Sequence, residues 1–145
     1  MKADFRFFMC LRGGGGMAYV STAWVSKRGW ALLNEAVRLG GFKRYTEAAR
    51  AALLFAAAEI VWGRGLPLPG EVVDERHAEG FRPQLGRQRE VGIRLPSPAP
   101  LETVRRWVAE RLYLPSVSAG VALEWALAAY VASLRAGRRA YAQAP

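Results

Sequence analysis

Cysteine, histidine and asparagine are almost missing from this chain of 145 residues, which contains only Cys10, His77 and Asn34. One cysteine allows no internal disulfide and no cysteine-based metal site. A Ser-His-Asp catalytic set could be built only through His77, which stands in an irregular charged segment. The glycine run at 13–16 lacks the Lys-Ser/Thr pair of a phosphate-binding loop, and no residues have metal-ligand spacing. The sequence therefore predicts no catalytic residue, no metal and no cofactor.

Long uncharged apolar runs are also missing. Arg50 and Glu59 interrupt one alanine-rich stretch and Glu124 interrupts the other, so neither reaches the roughly 18 residues of a membrane span. The first residues carry Asp4 and Arg6 inside a short apolar patch and have no small-residue cleavage site, which makes a poor signal peptide. We expect no transmembrane segment and a location in a virion or inside the cell.

Acidic residues are outnumbered, with 12 Asp and Glu against 21 Lys and Arg and a net charge of +9. Lysine occurs only at positions 2, 27 and 43, so most cations are arginines, whose planar fork of donors grips phosphate. This balance predicts a polyanionic partner, with nucleic acid ahead of an acidic membrane surface. The scarcity of thermolabile side chains also favours a thermophilic source.

An internal repeat organises the chain. A β-like run, a helix, a turn and an alanine-rich helix occur over residues 19–62 and again over 91–134. At an offset of about 71 residues the apolar positions coincide. This offset aligns the first strand with the second at Val20 and Val91, Thr22 and Ile93, and Trp24 and Leu95. A duplicated unit in a basic chain suggests a built-in pseudo-dimer on a nucleic acid.

Turn residues set the expected bounds of the elements in the first half. A strand is predicted over 17–25 and a helix over 27–39, which Gly40 and Gly41 end. Thr46 is the expected N-cap of a second helix that runs to about Trp62.

The second half repeats this order. A strand is predicted over 91–95, prolines lead into a third helix, and Ser118 is expected to cap the fourth. The chain thus divides into an N-terminal arm at 1–16 and one helical domain at 17–145. That domain comprises a first hairpin at 17–62, a linker at 63–90 with a short strand near 71–73, a second hairpin at 91–137 and a basic tail at 138–145.

The segment from Gly40 to Leu53, GGFKRYTEAARAAL, resembles the turn and second helix of ribbon-helix-helix DNA-binding proteins. The matching residues are Thr46, Glu47, Ala48, Arg50 and Leu53. The second half matches more weakly, because LPSVSAGVALEWAL keeps Ser118 but lacks the Glu-Ala and the Arg. The resemblance implies that the two strands pair in antiparallel fashion and enter the major groove. It also implies that phosphates lie at the second-helix N-termini, near Thr46 and Ser118.

Base readout would depend on the strand side chains that face the groove. The apolar positions aligned above are expected to face the core, which leaves Ser21 and Ala23 toward the DNA. In the second strand Gly92 and Arg94 would face it, and only Arg94 could make a bidentate base contact. One such side chain is too few to read a base sequence. The repeat is therefore equally explained by a helical bundle of two similar hairpins without a paired ribbon.

The size, the charge, the arm and the four alanine-rich helices also resemble the nucleocapsid proteins of filamentous double-stranded-DNA viruses of hyperthermophilic archaea. This resemblance implies a coat subunit that wraps DNA and associates with itself or a homologous coat subunit through apolar helices. Diffuse positive charge is what sequence-independent phosphate binding requires. The cations expected at phosphates are Arg6, Arg12, Lys27, Arg28, Lys43, Arg44, Arg50, Arg105 and Arg106.

Together these features predict a mostly α fold with four helices in two hairpins, an N-terminal arm and a short strand before each hairpin. The preferred function is non-enzymatic coating or packaging of double-stranded DNA without sequence preference. One alternative is a tandem ribbon-helix-helix regulator that binds a specific operator with Arg94 as base reader. The other is a filament or interaction subunit that binds no nucleic acid.

Overall fold

The computed structural model describes residues 18–66 and 89–143, with side chains as far as residue 137. The order strand, helix, helix occurs twice in these residues. The elements are β1 (Tyr19–Val25), α1 (Lys27–Gly40), α2 (Tyr45–Val61), β2 (Arg89–Leu95), α3 (Ala99–Arg111) and α4 (Ala119–Gln143). The predicted fold class, mostly α with a short strand before each helical pair, is confirmed. The arm at 1–16 and the strand expected near 71–73 lie outside the described residues.

The two strands pair with each other. β1 and β2 form a two-stranded antiparallel sheet in which Tyr19 lies opposite Leu95, Thr22 opposite Gly92 and Val25 opposite Arg89. The pairing is symmetric about its centre, since the middle residue of each strand faces the middle residue of the other. The sheet therefore joins the two halves of the repeat through their strands.

The two halves also interlock through their helices. α1 packs against α4 of the second half as well as against α2 of its own half. α2 in turn packs against β2 and α3, and α4 packs against β1. The core is consequently shared between the halves, and the helices do not form two separate hairpins stacked side by side.

Small side chains on α2 allow this close packing. Its alanines at 48, 49, 52, 56 and 57 are fully buried, as is Leu53. On α4 the run from Val121 to Leu127 is buried on every side, and the Trp125 ring meets the Trp107 ring edge-on at 5.7 Å between centroids. The apolar surface of both helices is thus used inside the chain, and the expectation that it drives self-association stays a prediction.

A buried carboxylate fixes the start of α1. Ser26 is the N-cap, and its hydroxyl oxygen accepts the Gly29 N–H at 3.1 Å. The Glu124 side chain, which is 1% exposed, accepts hydrogen bonds from the Ser26 hydroxyl and, at 3.0 Å, from the Ser26 N–H. A Cβ on Gly29 would overlap the Glu124 carboxylate. The absence of a Cβ at Gly29 thus leaves room for the Glu124 side chain at the N-terminus of α1.

The end of α1 follows the prediction. Gly41 has a φ of 68°, and its N–H donates to the Val37 carbonyl. This is the left-handed C-terminal position that glycine adopts without a Cβ penalty.

The end of α4 differs from the prediction. The helix continues through Gly137 to Gln143, so most of the segment expected to be a basic tail is helical. A lone glycine in an exposed turn costs a helix only about 1 kcal/mol, which the neighbouring alanines and arginines offset.

Candidate nucleic-acid interface

The outer side of the two-stranded sheet is a surface that the core does not cover. We call it the ribbon face. It consists of Val20, Thr22 and Trp24 on β1 and Glu90, Gly92 and Arg94 on β2. Across the sheet Val20 lies opposite Arg94 and Trp24 opposite Glu90. The exposed fraction is 63% for Val20 and 49% for Trp24, which is high for side chains of their kind.

The expected facing of β1 was wrong. Ala23 and Val25 are buried and Tyr19 and Ser21 are partly buried, so the odd-numbered residues face the core. Ser21 and Ala23 therefore cannot face DNA. For β2 the expectation agrees with the structure, since Arg94 is exposed between buried Ile93 and Leu95.

A single alignment offset caused the error on β1. The strands begin 70 residues apart, at Tyr19 and Arg89, whereas the second helices begin 74 apart, at Tyr45 and Ala119. One offset of about 71 lies between these values and misaligns the strands by one residue. A shift of one residue moves every strand side chain to the opposite face.

Two helix N-termini lie beside the ribbon, one against each strand. Thr46, the second residue of α2, is close to β2, and a Cβ on Gly92 would lie 3.3 Å from the Thr46 Cγ2 atom. Gly120, the second residue of α4, touches β1, and a Cβ there would overlap the Trp24 carbonyl oxygen. Each contact contains one glycine, which lets helix and strand approach closely. Free backbone N–H groups at such helix starts favour anions.

The expected N-caps are half correct. Ser118 caps α4, because its hydroxyl oxygen accepts the Val121 N–H at 3.2 Å. Thr46 is not a cap: α2 starts one residue earlier, at Tyr45, and Arg44 holds the N-cap position without a side-chain hydrogen bond. The Arg44 backbone is already extended, and arginine has no short side-chain oxygen that could turn back to cap the helix.

Most of the predicted phosphate contacts in the described residues are exposed. Lys27 and Arg28 begin α1, separated from the end of β1 by one residue, and Lys43 and Arg44 directly precede the α2 N-terminus beside the ribbon. Arg94 thus belongs to the ribbon face itself, and Lys43 and Arg44 immediately precede the helix start that lies against β2. Arg50 and Arg106 lie exposed on α2 and α3. Arg6 and Arg12 lie outside the described residues.

Arg105 has a structural partner. Its Nε–H donates to the Val117 carbonyl oxygen at 2.9 Å, and the side chain is partly buried. The guanidinium thereby ties α3 to the segment that leads into α4, which weakens its case as a phosphate contact.

An aromatic and cationic stack beside the ribbon was missed. The Arg89 guanidinium lies 4.7 Å above the Trp30 ring centroid, and the Trp30 and Tyr45 centroids are 4.7 Å apart. The stack connects the end of the ribbon to the first residue of α2. Arg89 was not predicted as part of the site, because the linker was expected to extend to residue 90, whereas β2 begins at Arg89. Pairing β2 with β1 residue for residue requires a second strand of seven residues, and that length would have placed its start at Arg89.

Shifted pKa values occur on α1, on α4 and just beyond the end of α2. The hydrogen bond from Arg135 lowers the pKa of Glu35, and the charge of Arg135 and the contact with Arg38 lower it further by smaller amounts. Burial raises the pKa of Tyr130, and the hydrogen bond to Glu59 raises that of Arg64. None of these groups belongs to the ribbon face.

Residues 18–66 and 89–143 contain no group of three or more His, Cys, Asp or Glu side chains that could hold a metal ion. His77 and the carboxylates near it fall outside these ranges. In the same part of the chain no helix has the length and apolar character needed to cross a membrane.

Comparison of the chain with protein-family models, with curated proteins and with solved structures found no match.

Proposed function

We propose that this chain is a non-enzymatic double-stranded-DNA-binding protein that inserts the ribbon face into the major groove. The observation that carries the proposal is the intramolecular β1–β2 pair, flanked by the N-termini of α2 and α4. The major groove, about 12 Å wide, admits a two-stranded ribbon. Helix N-termini on both sides of it suit the phosphates that border the groove.

The charges near the ribbon support the same partner. Lys27 and Arg28 follow β1 closely in sequence, and Lys43 and Arg44 precede the start of α2, where Thr46 lies against β2. Arg94 is on the exposed side of the ribbon. The described acid on the ribbon face is Glu90. A surplus of cations around a ribbon attracts a polyanion over long range. Once the polyanion is bound, the cations hold it through its phosphates.

The paired ribbon favours a tandem ribbon-helix-helix regulator among the DNA-binding alternatives. That resemblance implies strand–helix–helix units whose strands pair in antiparallel fashion, and a chain with both units supplies both strands itself. A regulator would prefer a short operator to random DNA by about a thousandfold or more.

The second candidate is a coat subunit that packages DNA without sequence preference, in a virion filament or elsewhere. One observation favours it: Arg94 is the only described long donor on the ribbon face, and Gly92 at its centre offers no side chain. Exposed cations away from the ribbon, such as Arg50 and Arg106, also suit diffuse phosphate binding.

The test of DNA binding is a titration with random-sequence duplex DNA at several salt concentrations. We expect the logarithm of affinity to fall steeply with the logarithm of salt concentration. Lys43→Ala and Arg44→Ala should each reduce that slope by about 0.9. Arg64→Ala is the charge-matched control, because this exposed arginine lies beyond the C-terminal end of α2, far along the helix from Lys43 and Arg44, and pairs with Glu59. DNA binding without salt dependence, or no binding, would overturn the proposal.

Arg94→Ala separates the two candidates. In a regulator it should cost roughly 1–3 kcal/mol on the preferred sequence and little on random DNA, because bidentate base contacts discriminate between sequences. In a coat subunit the loss should be equal on all sequences. Electron microscopy of the complex gives an independent answer, since a coat forms continuous filaments and a regulator forms discrete particles.

A further inference from the structure

The β1 side of the ribbon face is unusually apolar for a surface that faces DNA. Val20 is 63% exposed and carries two methyl groups, Thr22 is exposed and carries one, and Trp24 presents half of its indole. Exposed apolar groups in one row gain free energy when an apolar partner covers them. The row has no long charged side chain that could reach a phosphate or a guanine.

Thymine carries the one apolar group on the major-groove edges of the bases, the C5-methyl. We propose that the β1 row binds DNA through thymine methyl groups, so that the preferred ligand is duplex DNA with thymines beside a guanine contacted by Arg94. This inference rests on the proposed DNA-binding function and names the base chemistry that the ribbon selects.

The cross-strand register supports these two roles, thymine contacts by the β1 row and a guanine contact by Arg94. Arg94 lies directly opposite Val20, so a donor pair for guanine O6 and N7 stands next to a methyl-rich side chain. At the other end Glu90 lies opposite Trp24, and a carboxylate there can accept from the cytosine amino group but would repel a phosphate. The Glu90 end of the ribbon face thus suits base edges better than the DNA backbone, and at the other end Arg94 can reach a guanine beside Val20.

The surrounding charge argues for DNA over a protein as the occupant. An apolar protein surface placed on Val20 and Trp24 would also have to cover Arg94 and Glu90, and would approach Lys43 and Arg44. Duplex DNA meets these cations with phosphates while its base edges meet the apolar row. Charge complementarity therefore selects one occupant.

The experiment starts from duplexes that the full-length protein retains from a random pool at moderate salt. Each retained sequence is made again with deoxyuridine in place of thymidine, which removes only the C5-methyl groups. We expect affinity to fall roughly three- to fourfold for each contacted methyl group, which corresponds to burial of one carbon. Val20→Ser and Trp24→Ser should each reduce this difference, and neither side chain belongs to the buried core.

The outcomes separate the two proposals. Equal affinity for thymine and uracil duplexes, with salt-dependent binding intact, would overturn the methyl inference and leave DNA binding standing. A thymine preference that persists in both serine variants would also overturn it, since the methyl groups would then act through DNA shape. Absence of DNA binding would overturn both and would leave the apolar row as a surface for a protein partner.

Discussion

Two glycines in α4 have opposite environments, and substitution by alanine should therefore have opposite effects. A Cβ on Gly120 would overlap the Trp24 carbonyl oxygen, whereas a Cβ on Gly137 would have no atom within 4 Å. Gly120→Ala must push α4 away from β1, and we expect a loss of roughly 3 kcal/mol of unfolding free energy. Gly137→Ala should gain roughly 0.5–1 kcal/mol, because alanine is the better helix former.

Urea unfolding of both variants, followed by circular dichroism, measures this difference. The two substitutions are chemically identical and lie in the same helix, so propensity alone predicts the same sign for both. A Gly120→Ala variant as stable as the parent would mean that α4 does not contact the Trp24 carbonyl.

The Glu35 ion pairs tie α1 to α4 and should make stability depend on pH. One carboxylate oxygen of Glu35 lies 2.7 Å from Arg38 and the other 3.0 Å from Arg135 on α4. These contacts lower the pKa of Glu35 below its ordinary value of 4.5 in the folded state. Their contribution is therefore complete above the unfolded-state pKa and is lost as the pH falls through the lower, folded-state value.

Comparison of the parent with Glu35→Gln isolates this contribution, since all other groups titrate in both proteins. We expect the parent to be more stable at pH 7 by less than about 1 kcal/mol, because the pair is at the surface. The difference should vanish as the pH falls below the folded-state pKa of Glu35, and it should shrink in about 1 M salt. A difference that grows on acidification would contradict the assignment.

Elements were predictable from sequence where local chemistry decides them. Gly41 ends α1 and Ser118 begins α4 as predicted, because each acts on backbone groups a few residues away. The facing of β1 was not predictable from that strand alone, since its apolar residues stand on both sides and alternation gives no answer. It depended on aligning the repeat, which one offset for strands and helices did incorrectly. The core selects Val25 and Ala23, which is a tertiary effect.

The positive charge of the candidate site was predictable from the sequence, and the contacts between its elements were not. Arg94 and the cations before α2 follow from charge and from the repeat. The contact of Gly120 with β1, and the Arg89–Trp30–Tyr45 stack, join residues far apart in the chain and have no local signature. From the sequence, Glu124 is only a charged interruption of an apolar run, whereas in the fold it accepts a hydrogen bond from Ser26.

The two halves of the molecule are complementary without being interchangeable. Thr46 and Gly120 are equivalent, since each is the second residue of its half's second helix, and Ser26 and Pro98 are equivalent N-cap residues. A homodimer of the first half would place Thr46 where Gly120 lies, and its side chain would overlap the Trp24 carbonyl. A homodimer of the second half would set buried Glu124 against Pro98, which has neither a hydroxyl nor an N–H to donate.

We therefore expect the halves to fold only with each other. Residues 1–77 and 78–145, made as separate polypeptides, should each lack a cooperative thermal transition, because the shared core would be exposed. An equimolar mixture should recover helical circular dichroism and one transition. The penalties on the homodimers, an overlapping side chain and an unsatisfied buried carboxylate, are each worth several kcal/mol. A cooperative transition in either half alone would show that its own strands and helices can replace those of the other half.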